Sequence, residues 1–390
     1  SGAAMGGMRA PSDAPRSSVE EWLAAAEGVE VIRGWGRFEG RDGNGRFIVG
    51  VGEDRLVAER VFLNTGTRAF VPPVPGLDEV PHLDNAALLA LTERPAHLVV
   101  VGGSYIGLEM GQMFRRLGSE VTLIHRSERL AEREDDDVSG IIADFLREEG
   151  VALHLNAGIA RVGKNMRGIA VTLEDGTSVA GSHLLFATGR VPNTEKLNVD
   201  SVGLKTDARG YIPTDAKLRT EVPGIWALGD VNRRGAFTHT SYHDHEIVLA
   251  DLDERGEMHQ LEDADRRPAT YAMFTDPPLG RVGLSLGEAR ALARNGRKIL
   301  VAEMPMAEIS RAKEESESAG LIRLIVDGDT EAFLGATVLG LSGDEVIAVL
   351  SNFMATGASY KVMQQALPVH PTIAELLPSI LARLAPLAAP

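Results

Sequence analysis

The sequence comprises 390 residues, of which 44% are hydrophobic and 24% are charged. These values are ordinary for globular proteins and exclude a chain too polar to collapse. The 40 basic and 55 acidic side chains give a formal net charge of −15, which argues against a nucleic-acid partner. No apolar stretch approaches the roughly 18 residues that a membrane-spanning helix needs, so we expect no membrane association and a cytoplasmic location.

The sequence contains no cysteine. These residues therefore cannot form a disulfide, a thiolate metal site or a cysteine nucleophile. Any redox chemistry has to use a bound cofactor. The length, about two to four times that of a typical domain, predicts two or three packed units.

The first predicted elements are a helix over residues 19–27 and short β-like segments at 30–33 and 47–51. A further strand ends at Thr65 and Gly66. Three prolines between residues 72 and 75 discourage both helix and sheet, so they predict a connector between domains.

From residue 97 onward the pattern alternates between strand and helix. Residues 97–101 are a continuous apolar run, typical of a parallel strand buried on both faces, and a strand at 121–124 follows a helix predicted over 105–117. The acidic run 135–137 is interpreted as carboxylates that cap the next helix rather than as a metal site. Asp175-Gly176 suits a tight hairpin turn.

The last part of the chain reads as strands with helices after them, which is typical of an α+β domain. We predict its strands at residues 270–274, 299–302, 321–326 and 332–339.

A glycine-rich turn lies between the strand at 97–101 and the helix after it. Gly102 allows the tight turn, Gly107 allows close packing of helix on strand, and the helix N-terminus offers unpaired amides to a diphosphate. Ser104 replaces the usual middle glycine, and its hydroxyl could bond a phosphate. The context favours a dinucleotide site over a plain packing turn. Its candidate residues are Gly102, Gly103, Ser104, Tyr105, Ile106 and Gly107.

The position that selects between coenzymes follows the next strand. An acidic residue there would accept the 2′-hydroxyl of NAD, whereas this chain has His125, Arg126 and Arg129. Cations at that place favour the 2′-phosphate of NADP, although NAD stays possible. The alternative is that the two arginines form a solvated loop face.

Six motifs occur in a fixed order: NTG at 64–66, GGSYIGLE at 102–109, ATGRVPNT at 187–194, ALGDV at 227–231, FTDPPLGRVG at 274–283 and HPTIAE at 370–375. Together they make the chain resemble the flavin-dependent pyridine nucleotide-disulfide oxidoreductases, which include dihydrolipoamide dehydrogenase, glutathione reductase and mercuric reductase. The segments THTSYHD and GLSGDEVI resemble the mercuric-reductase-like branch that includes the reactive-chlorine-resistance flavoprotein.

The resemblance implies an oxidoreductase that binds FAD and NADP or NAD, in an α/β fold of Rossmann-like nucleotide-binding domains with a C-terminal α+β dimerisation domain. Asp230 would bind the ribitol of FAD, Thr238 and His239 would lie beside the flavin pyrimidine edge, and Glu109 would lie near the nicotinamide. The other cofactor-binding residues that it implies are Thr65, Gly66, Gly189, Arg190 and Gly229.

His370 and Glu375 resemble the His-Glu pair that, in thiol-acting members, projects into the partner subunit's active site. A carboxylate beside an imidazole fixes its tautomer and makes a usable acid or base. Without the family resemblance, the sequence indicates only that His370 ends a helix. The resemblance thus implies a homodimer through residues 263–390 and a small-molecule, thiol or disulfide acceptor.

The implied domains are a remnant of the FAD-binding domain at 1–75, an NAD(P)-binding domain at 76–190, a second FAD-binding segment at 191–262 and the dimerisation domain at 263–390. The chain aligns part-way into the family's first domain, so we expect roughly one hundred family residues to be absent, including the FAD glycine fingerprint and the redox cysteine pair.

Three histidines and a glutamate between residues 239 and 246 could ligate zinc, but the family places this segment under the flavin, so we predict no metal. Three functions remain open: an FAD- and NADPH-dependent oxidoreductase of this family, a cysteine-free flavin or NADPH oxidoreductase acting on a quinone, dye or oxygen, and a non-catalytic nucleotide-binding dimer that has lost the flavin.

Overall fold

The computed structural model describes residues 18–166, 168–253 and 263–387. These form two compact units, one of residues 71–188 with 268–387 and one of residues 18–70 with 189–267, the gap excepted. No helix in the described residues is long and apolar enough to cross a membrane. Residues 1–17 and the predicted boundary at 262/263 lie outside the described residues, and the four domain ranges stay predictions.

The strands are, in chain order, β1 (Gly36–Arg41), β2 (Phe47–Val51), β3 (Asp54–Ala58), β4 (Val61–Leu63), β5 (Thr67–Ala69), β6 (His97–Val101), β7 (Glu120–Ile124), β8 (Ala152–His154), β9 (Ile159–Asn165), β10 (Gly168–Leu173), β11 (Ser178–Gly181), β12 (His183–Phe186), β13 (Arg190–Pro192), β14 (Ile225–Ala227), β15 (Thr270–Met273), β16 (Leu279–Gly283), β17 (Ile299–Pro305), β18 (Leu321–Asp327), β19 (Phe333–Leu339) and β20 (Ala385–Pro386).

The helices that follow one another after residue 80 are α1 (Asn85–Leu89), α2 (Tyr105–Arg116), α3 (Asp136–Glu148), α4 (Thr238–Leu252), α5 (Leu286–Arg294), α6 (Ser310–Glu314), α7 (Gly343–Ala355), α8 (Tyr360–Gln364) and α9 (Leu377–Leu381). Residues 18–25 are helical as well, which confirms the first predicted helix.

A four-stranded parallel sheet, in the order β12-β6-β7-β8, forms the nucleotide-binding part of the first unit. Leu98, Val99 and Val100 of β6 are fully buried, as the apolar run predicts for a strand covered on both faces. The predicted helix after the glycine turn is confirmed as α2. The three-stranded antiparallel sheet β11-β10-β9 contains the predicted hairpin, in which the Asp175 carboxylate accepts the Thr177 amide N–H at 2.8 Å.

The C-terminal part of the first unit is a six-stranded sheet in the order β15-β16-β19-β18-β17-β20. All four predicted strands are present there, as β15, β17, β18 and β19. Helices α7, α8 and α9 pack their apolar side chains on this sheet in one core, so the predicted α+β character is confirmed.

The second unit contains the antiparallel sheet β1-β2-β3 and the pairs β14-β4, which is parallel, and β13-β5, which is antiparallel. Strand β14 is fully buried and leads directly into a 3₁₀ turn at Gly229–Asn232. This junction places Asp230 at the carboxyl end of a parallel strand.

Near the start of the described chain, one sequence prediction fails and one strand was not predicted. Residues 30–33, predicted to be β-like, are irregular, and half of the surface of Val31 is exposed. The first strand is β1, which the sequence analysis missed. Its glycine-rich sequence presents a single buried apolar side chain, Phe38, so the alternation of a half-buried strand is weak.

Candidate functional site

The turn between β6 and α2 is shaped by backbone contacts that exclude side chains. Gly102 has a φ of +116°, and a Cβ there would lie 2.2 Å from the carbonyl oxygen of Ala187. A Cβ at Gly107 would lie 2.0 Å from the carbonyl oxygen of Gly102. The two glycines therefore let the helix begin directly against the strand ends.

Helix α2 directs its first amides out of this turn. Its first intrahelical bond runs from the Leu108 N–H to the Ser104 oxygen, at 3.0 Å. Ser104 occupies the N-cap position without a side-chain capping bond, so its hydroxyl and the first-turn amides, including that of the half-buried Ile106, are not used for capping. Such a helix start suits an anion.

The backbone of Gly103 is held from both sides. Its N–H donates to His125 Nδ1 at 3.1 Å, and its carbonyl accepts the Ala131 N–H at 2.7 Å. A Cβ at Gly103 would lie 2.6 Å from a methyl carbon of Leu130. Gly103 thus fixes the shape of the turn, and its amide is already engaged.

The geometry corrects the predicted role of His125 as a cation for the 2′-phosphate. Because Nδ1 accepts a hydrogen bond from Gly103, that nitrogen carries no proton, and Nε2 lies 2.9 Å from a carboxylate oxygen of Glu132. Burial lowers the pKa of His125. The ring supports the turn in its neutral form. A sequence position alone does not reveal which way a ring faces, which is why the role was misassigned.

The other two cations of the selectivity loop differ. Arg129 forms an ion pair with Asp136, so its charge is partly neutralised. Arg126 is exposed and makes no ion pair within the described residues. Of the three predicted residues, Arg126 is therefore the cation that is available to a ligand.

Glu109 lies one turn further along α2. Its Oε1 accepts the backbone N–H of Phe274 at 2.7 Å, which ties α2 to the end of β15. Burial raises the pKa of Glu109, and the hydrogen bond from Phe274 opposes that rise in part.

Tyr105, the first residue of α2, uses its hydroxyl inside the protein. It donates to Glu134 Oε1 at 2.6 Å, and Tyr271 donates to the same oxygen at 2.8 Å. Burial and the nearby Glu134 raise the pKa values of both tyrosines well above their usual range, so both phenols stay donors. The sequence analysis did not identify Glu134 or Tyr271, because nothing local marks contacts between residues so far apart in the chain.

The acidic run 135–137 caps α3 only in part: the Asp137 carboxylate accepts the Val138 N–H in the first turn at 2.8 Å, whereas Asp135 makes no side-chain capping bond. Asp135 lies at the N-cap position, but its carboxylate accepts the amides of Leu286 and Gly287, each at 3.1 Å, at the start of α5. It also accepts from Arg323 at 2.9 Å, a side chain of β18 that is 1% exposed. The Asp135 carboxylate therefore bonds a buried arginine and two amides of α5 rather than the amides of the helix that follows it in sequence.

In the second unit, Asp230 belongs to a polar cluster at the end of β14. The Thr67 hydroxyl donates to its Oδ2 at 2.7 Å, and Arg190 Nε lies 3.7 Å from the same oxygen. Arg190 also donates to the hydroxyl and carbonyl of Thr67, at 2.6 and 2.9 Å. The cluster presents hydroxyl, guanidinium and carboxylate groups together, a donor and acceptor set that suits a polyol chain.

A buried carboxylate holds this turn in place, and the sequence analysis missed it. Asp244 is 0% exposed, and its Oδ2 accepts the Gly229 N–H at 2.8 Å and the Asn232 side-chain amide at 2.9 Å. Its Oδ1 accepts from Arg267 at 2.8 Å. Asp244 lies fifteen residues after Gly229, and this spacing matches no recognisable motif. The sequence therefore contained no indication that Asp244 bonds this turn.

The remaining predicted residues of this unit frame the same region. Asn193 donates its side-chain amide to the Thr65 carbonyl at 2.9 Å and its backbone N–H to the Gly66 carbonyl at 3.1 Å. Gly189 accepts the Phe70 N–H at 2.9 Å. Helix α4 begins at Thr238, which is exposed, as is His239, whose ring stacks on Phe237 at 5.4 Å.

His370 and Glu375 are paired. His370 Nδ1 lies 2.7 Å from Glu375 Oε2, with the histidine side chain 78% exposed and the glutamate 13%. The Thr372 hydroxyl accepts the Glu375 N–H at 3.1 Å and donates to the Val369 carbonyl at 2.8 Å. Because a carboxylate only accepts, Nδ1 donates its proton to Glu375, and Nε2 is the ring nitrogen that remains for proton exchange.

The histidines near the start of α4 do not assemble a metal centre. Within the residues that the structure describes, no group of three or more His, Cys, Asp or Glu side chains is placed to hold a metal ion. His243 Nδ1 instead lies 3.3 Å from Arg267 Nη1.

A parallel sheet with a glycine turn at a helix N-terminus defines a dinucleotide-binding protein. A family model described as pyridine nucleotide-disulphide oxidoreductase matches residues 6–244, and the dimerisation domain of that family matches residues 269–379. The chain belongs to the pyridine nucleotide-disulphide oxidoreductase family, as the six motifs predicted. It is accordingly an NAD(P)H-dependent flavoprotein oxidoreductase of a family that uses FAD.

Named relatives support this assignment. The chain is 36% identical over 327 residues to a probable pyridine nucleotide-disulfide oxidoreductase, RclA, of Escherichia coli, covering 84% of this chain and 73% of that protein. It is 35% identical over 367 residues to the mercuric reductase of Streptomyces lividans, covering 91% and 74%. The solved structure of the HOCl-induced flavoprotein disulfide reductase RclA matches with a TM-score of 0.86 at 33% identity, over 95% of this chain and 83% of that one. The predicted fold class is thereby confirmed.

Proposed function

We propose that this protein binds NADPH at the turn after β6 and FAD against the Asp230 cluster, and that it reduces a small acceptor. The observation that carries the proposal is the glycine turn, where backbone oxygens within 2.2 Å of the missing Cβ positions leave room only for glycine. The residues present fit both groups, since the first amides of α2 suit a diphosphate and the Thr67, Arg190 and Asp230 cluster suits a ribityl chain. A flavin bound at this cluster would supply hydride transfer from the reduced nicotinamide and two-electron transfer to the acceptor.

The chain's own residues would bind and position these groups. The amides of Tyr105, Ile106 and Gly107 and the hydroxyl of Ser104 hold the diphosphate, while Gly102 and Gly103 keep the turn open. Glu109, fixed by the Phe274 amide, lies next to the nicotinamide by the family's arrangement. Thr65, Gly66, Gly189, Gly229, Thr238 and His239 complete the flavin contacts that the resemblance implies.

The His370–Glu375 pair supplies a proton to the acceptor. The Glu375 carboxylate holds Nδ1, so Nε2 is the ring nitrogen that delivers a proton when the ring is protonated and takes one up when it is neutral, as a general acid or base does. Two exposed apolar side chains precede His370 in the sequence: Leu367 is 97% exposed and Val369 is 74% exposed. Both lie within the residues that match the family's dimerisation domain. A second copy of the chain would cover them, so that His370 acts at the partner subunit's active site.

The acceptor is of the thiol or disulfide class under this proposal. The relative from E. coli is described as a disulfide reductase, and mercuric reductases are relatives of comparable identity. Since none of the 390 residues is a cysteine, electrons pass to the acceptor without a thiol of these residues.

The coenzyme preference is tested by Arg126→Gln. The exposed, unpaired guanidinium is expected to bind the 2′-phosphate. Because one charged contact is lost, the variant should raise the dissociation constant for NADPH about tenfold. The dissociation constant for NADH, which lacks that phosphate, should stay unchanged. Isothermal titration calorimetry with each coenzyme measures both constants.

Arg133→Gln is the matched control, because Arg133 is an exposed arginine of the same loop. It removes the same charge, so a general electrostatic effect would appear equally in both variants. Equal affinities of the wild-type protein for NADPH and NADH, or equal losses in the two variants, would refute the preference for NADPH.

A further inference from the structure

A buried carboxylate joins the glycine turn to the C-terminal sheet. Glu134 Oε1 accepts the hydroxyls of Tyr105, on α2, and Tyr271, on β15. Its Oε2 accepts from Arg281 Nη1, on β16, at 2.9 Å. The rings of the two tyrosines are 5.4 Å apart. One carboxylate thus gathers three donors from three elements.

This cluster is closed to solvent at its centre. The side chain of Glu134 is 0% exposed and that of Arg281 is 3% exposed. A buried ion pair of this kind contributes little net stability over apolar residues of the same volume, but the three hydrogen bonds that Glu134 accepts fix the positions of their donors. The carboxylate therefore acts as a rigid point between α2 and the sheet.

The same stretch of chain also supports the turn itself. Residues 130–134, here called the turn-support segment, donate the Ala131 amide to the Gly103 carbonyl at 2.7 Å and place Leu130 beneath Gly103. Ala131 has a φ of +46°, a conformation that costs free energy for a residue with a side chain. Such strain persists only where surrounding contacts hold it, and the Glu134 cluster is the contact at the end of this segment.

We propose that Glu134 is a positioning residue for the coenzyme: anchored by Arg281 and Tyr271, it holds Tyr105 and through it the first turn of α2 in the orientation that receives the diphosphate. The inference rests on the proposed binding of NADPH at this turn. It assigns the C-terminal sheet a part in coenzyme binding that is separate from dimer formation.

The position of Tyr105 at the start of α2 supports the proposal. Tyr105 is the first residue of α2, so its backbone amide belongs to the group that faces the ligand while its hydroxyl reaches the buried carboxylate. A change in the hydroxyl's partner therefore shifts the amide directly. Tyr271 and Arg281 have no such backbone position. Arg281 bonds Glu134, and Tyr271 bonds Glu134 and packs against the ring of Tyr105.

The test is a double-mutant cycle on the dissociation constant for NADPH, measured calorimetrically with the full chain. We expect Glu134→Gln and Tyr105→Phe each to weaken binding about tenfold, the range of a lost charge-assisted hydrogen bond, and the double variant to be no weaker than either single one. Tyr271→Phe, which leaves no buried charge unpaired, should weaken binding about threefold in the wild-type background and have no effect beside Tyr105→Phe.

Melting temperatures separate positioning from folding. Asp144→Asn, at an exposed ion pair with Arg147, is the control that should change neither quantity. A fall in melting temperature with an NADPH affinity within twofold of wild type, or additive losses in the double variant, would overturn the proposal. If Glu134→Gln does not fold, the Tyr271→Phe and Tyr105→Phe pair decides alone. A wild-type protein that takes up no NADPH would instead refute the proposed function and this inference with it.

Discussion

Alanine at Gly102 is expected to lower the affinity for NADPH about a hundredfold, because the substitution deforms the turn that receives the diphosphate. The φ of +116° is one that side chains rarely adopt, and the added Cβ would lie 2.2 Å from the Ala187 oxygen and 2.6 Å from its carbonyl carbon. Both contacts are with backbone at the end of β12, so no flexible side chain can move aside. The measurement is the dissociation constant for NADPH, with the melting temperature recorded beside it.

Gly140→Ala is the matched control for that substitution. Gly140 lies in α3, is exposed, and has nothing within 4 Å of the position of its Cβ. Alanine there should leave coenzyme affinity unchanged and stabilise the helix by about 0.5 to 1 kcal/mol. If Gly102→Ala bound NADPH as tightly as Gly140→Ala, the turn would not be the coenzyme site.

The second large effect is expected from His370→Ala. Loss of a positioned acid or base reduces turnover about a hundredfold, and the reduction should appear with acceptors that take up protons, such as a disulfide or a quinone. Stopped-flow absorbance should show the rate of flavin reduction by NADPH unchanged, since the imidazole acts after that step. Steady-state turnover measures the loss.

A one-electron acceptor such as ferricyanide provides the internal control, because its reduction needs no delivered proton. Turnover with ferricyanide should be the same in the His370→Ala and wild-type proteins. Glu375→Gln keeps a hydrogen-bond acceptor 2.7 Å from Nδ1 without the charge, so a smaller loss is expected. Equal losses with both kinds of acceptor would contradict a role in proton transfer.

Local patterns in the sequence were sufficient for the nucleotide-binding half of the first unit. The apolar run of β6, the helical spacing in α2 and the glycines between them are all properties of neighbouring residues, and the structure confirms each. The hairpin at Asp175 was predictable for the same reason, since a carboxylate that bonds the amide two residues later is a short-range interaction.

Contacts between distant residues could not be predicted. The Glu134 cluster joins side chains at positions 105, 134, 271 and 281, and Asp244 holds a turn fifteen residues before it. The acidic run at Asp135 shows the consequence: the local rule assigned it to its own helix, whereas the fold brings α5 and Arg323 closer to it. His125 was misassigned in the same way, because the ring turns under Gly103.

The most direct test of the account is an anaerobic titration of the purified wild-type protein with NADPH, followed by calorimetry and by the flavin absorbance. The account predicts saturable uptake with a dissociation constant in the micromolar range, tighter for NADPH than for NADH, and bleaching of the flavin band as the coenzyme is added. Uptake without a flavin band would indicate a nucleotide-binding dimer instead. Absence of any uptake would contradict the central claim that the turn at residues 102–107 is a coenzyme site.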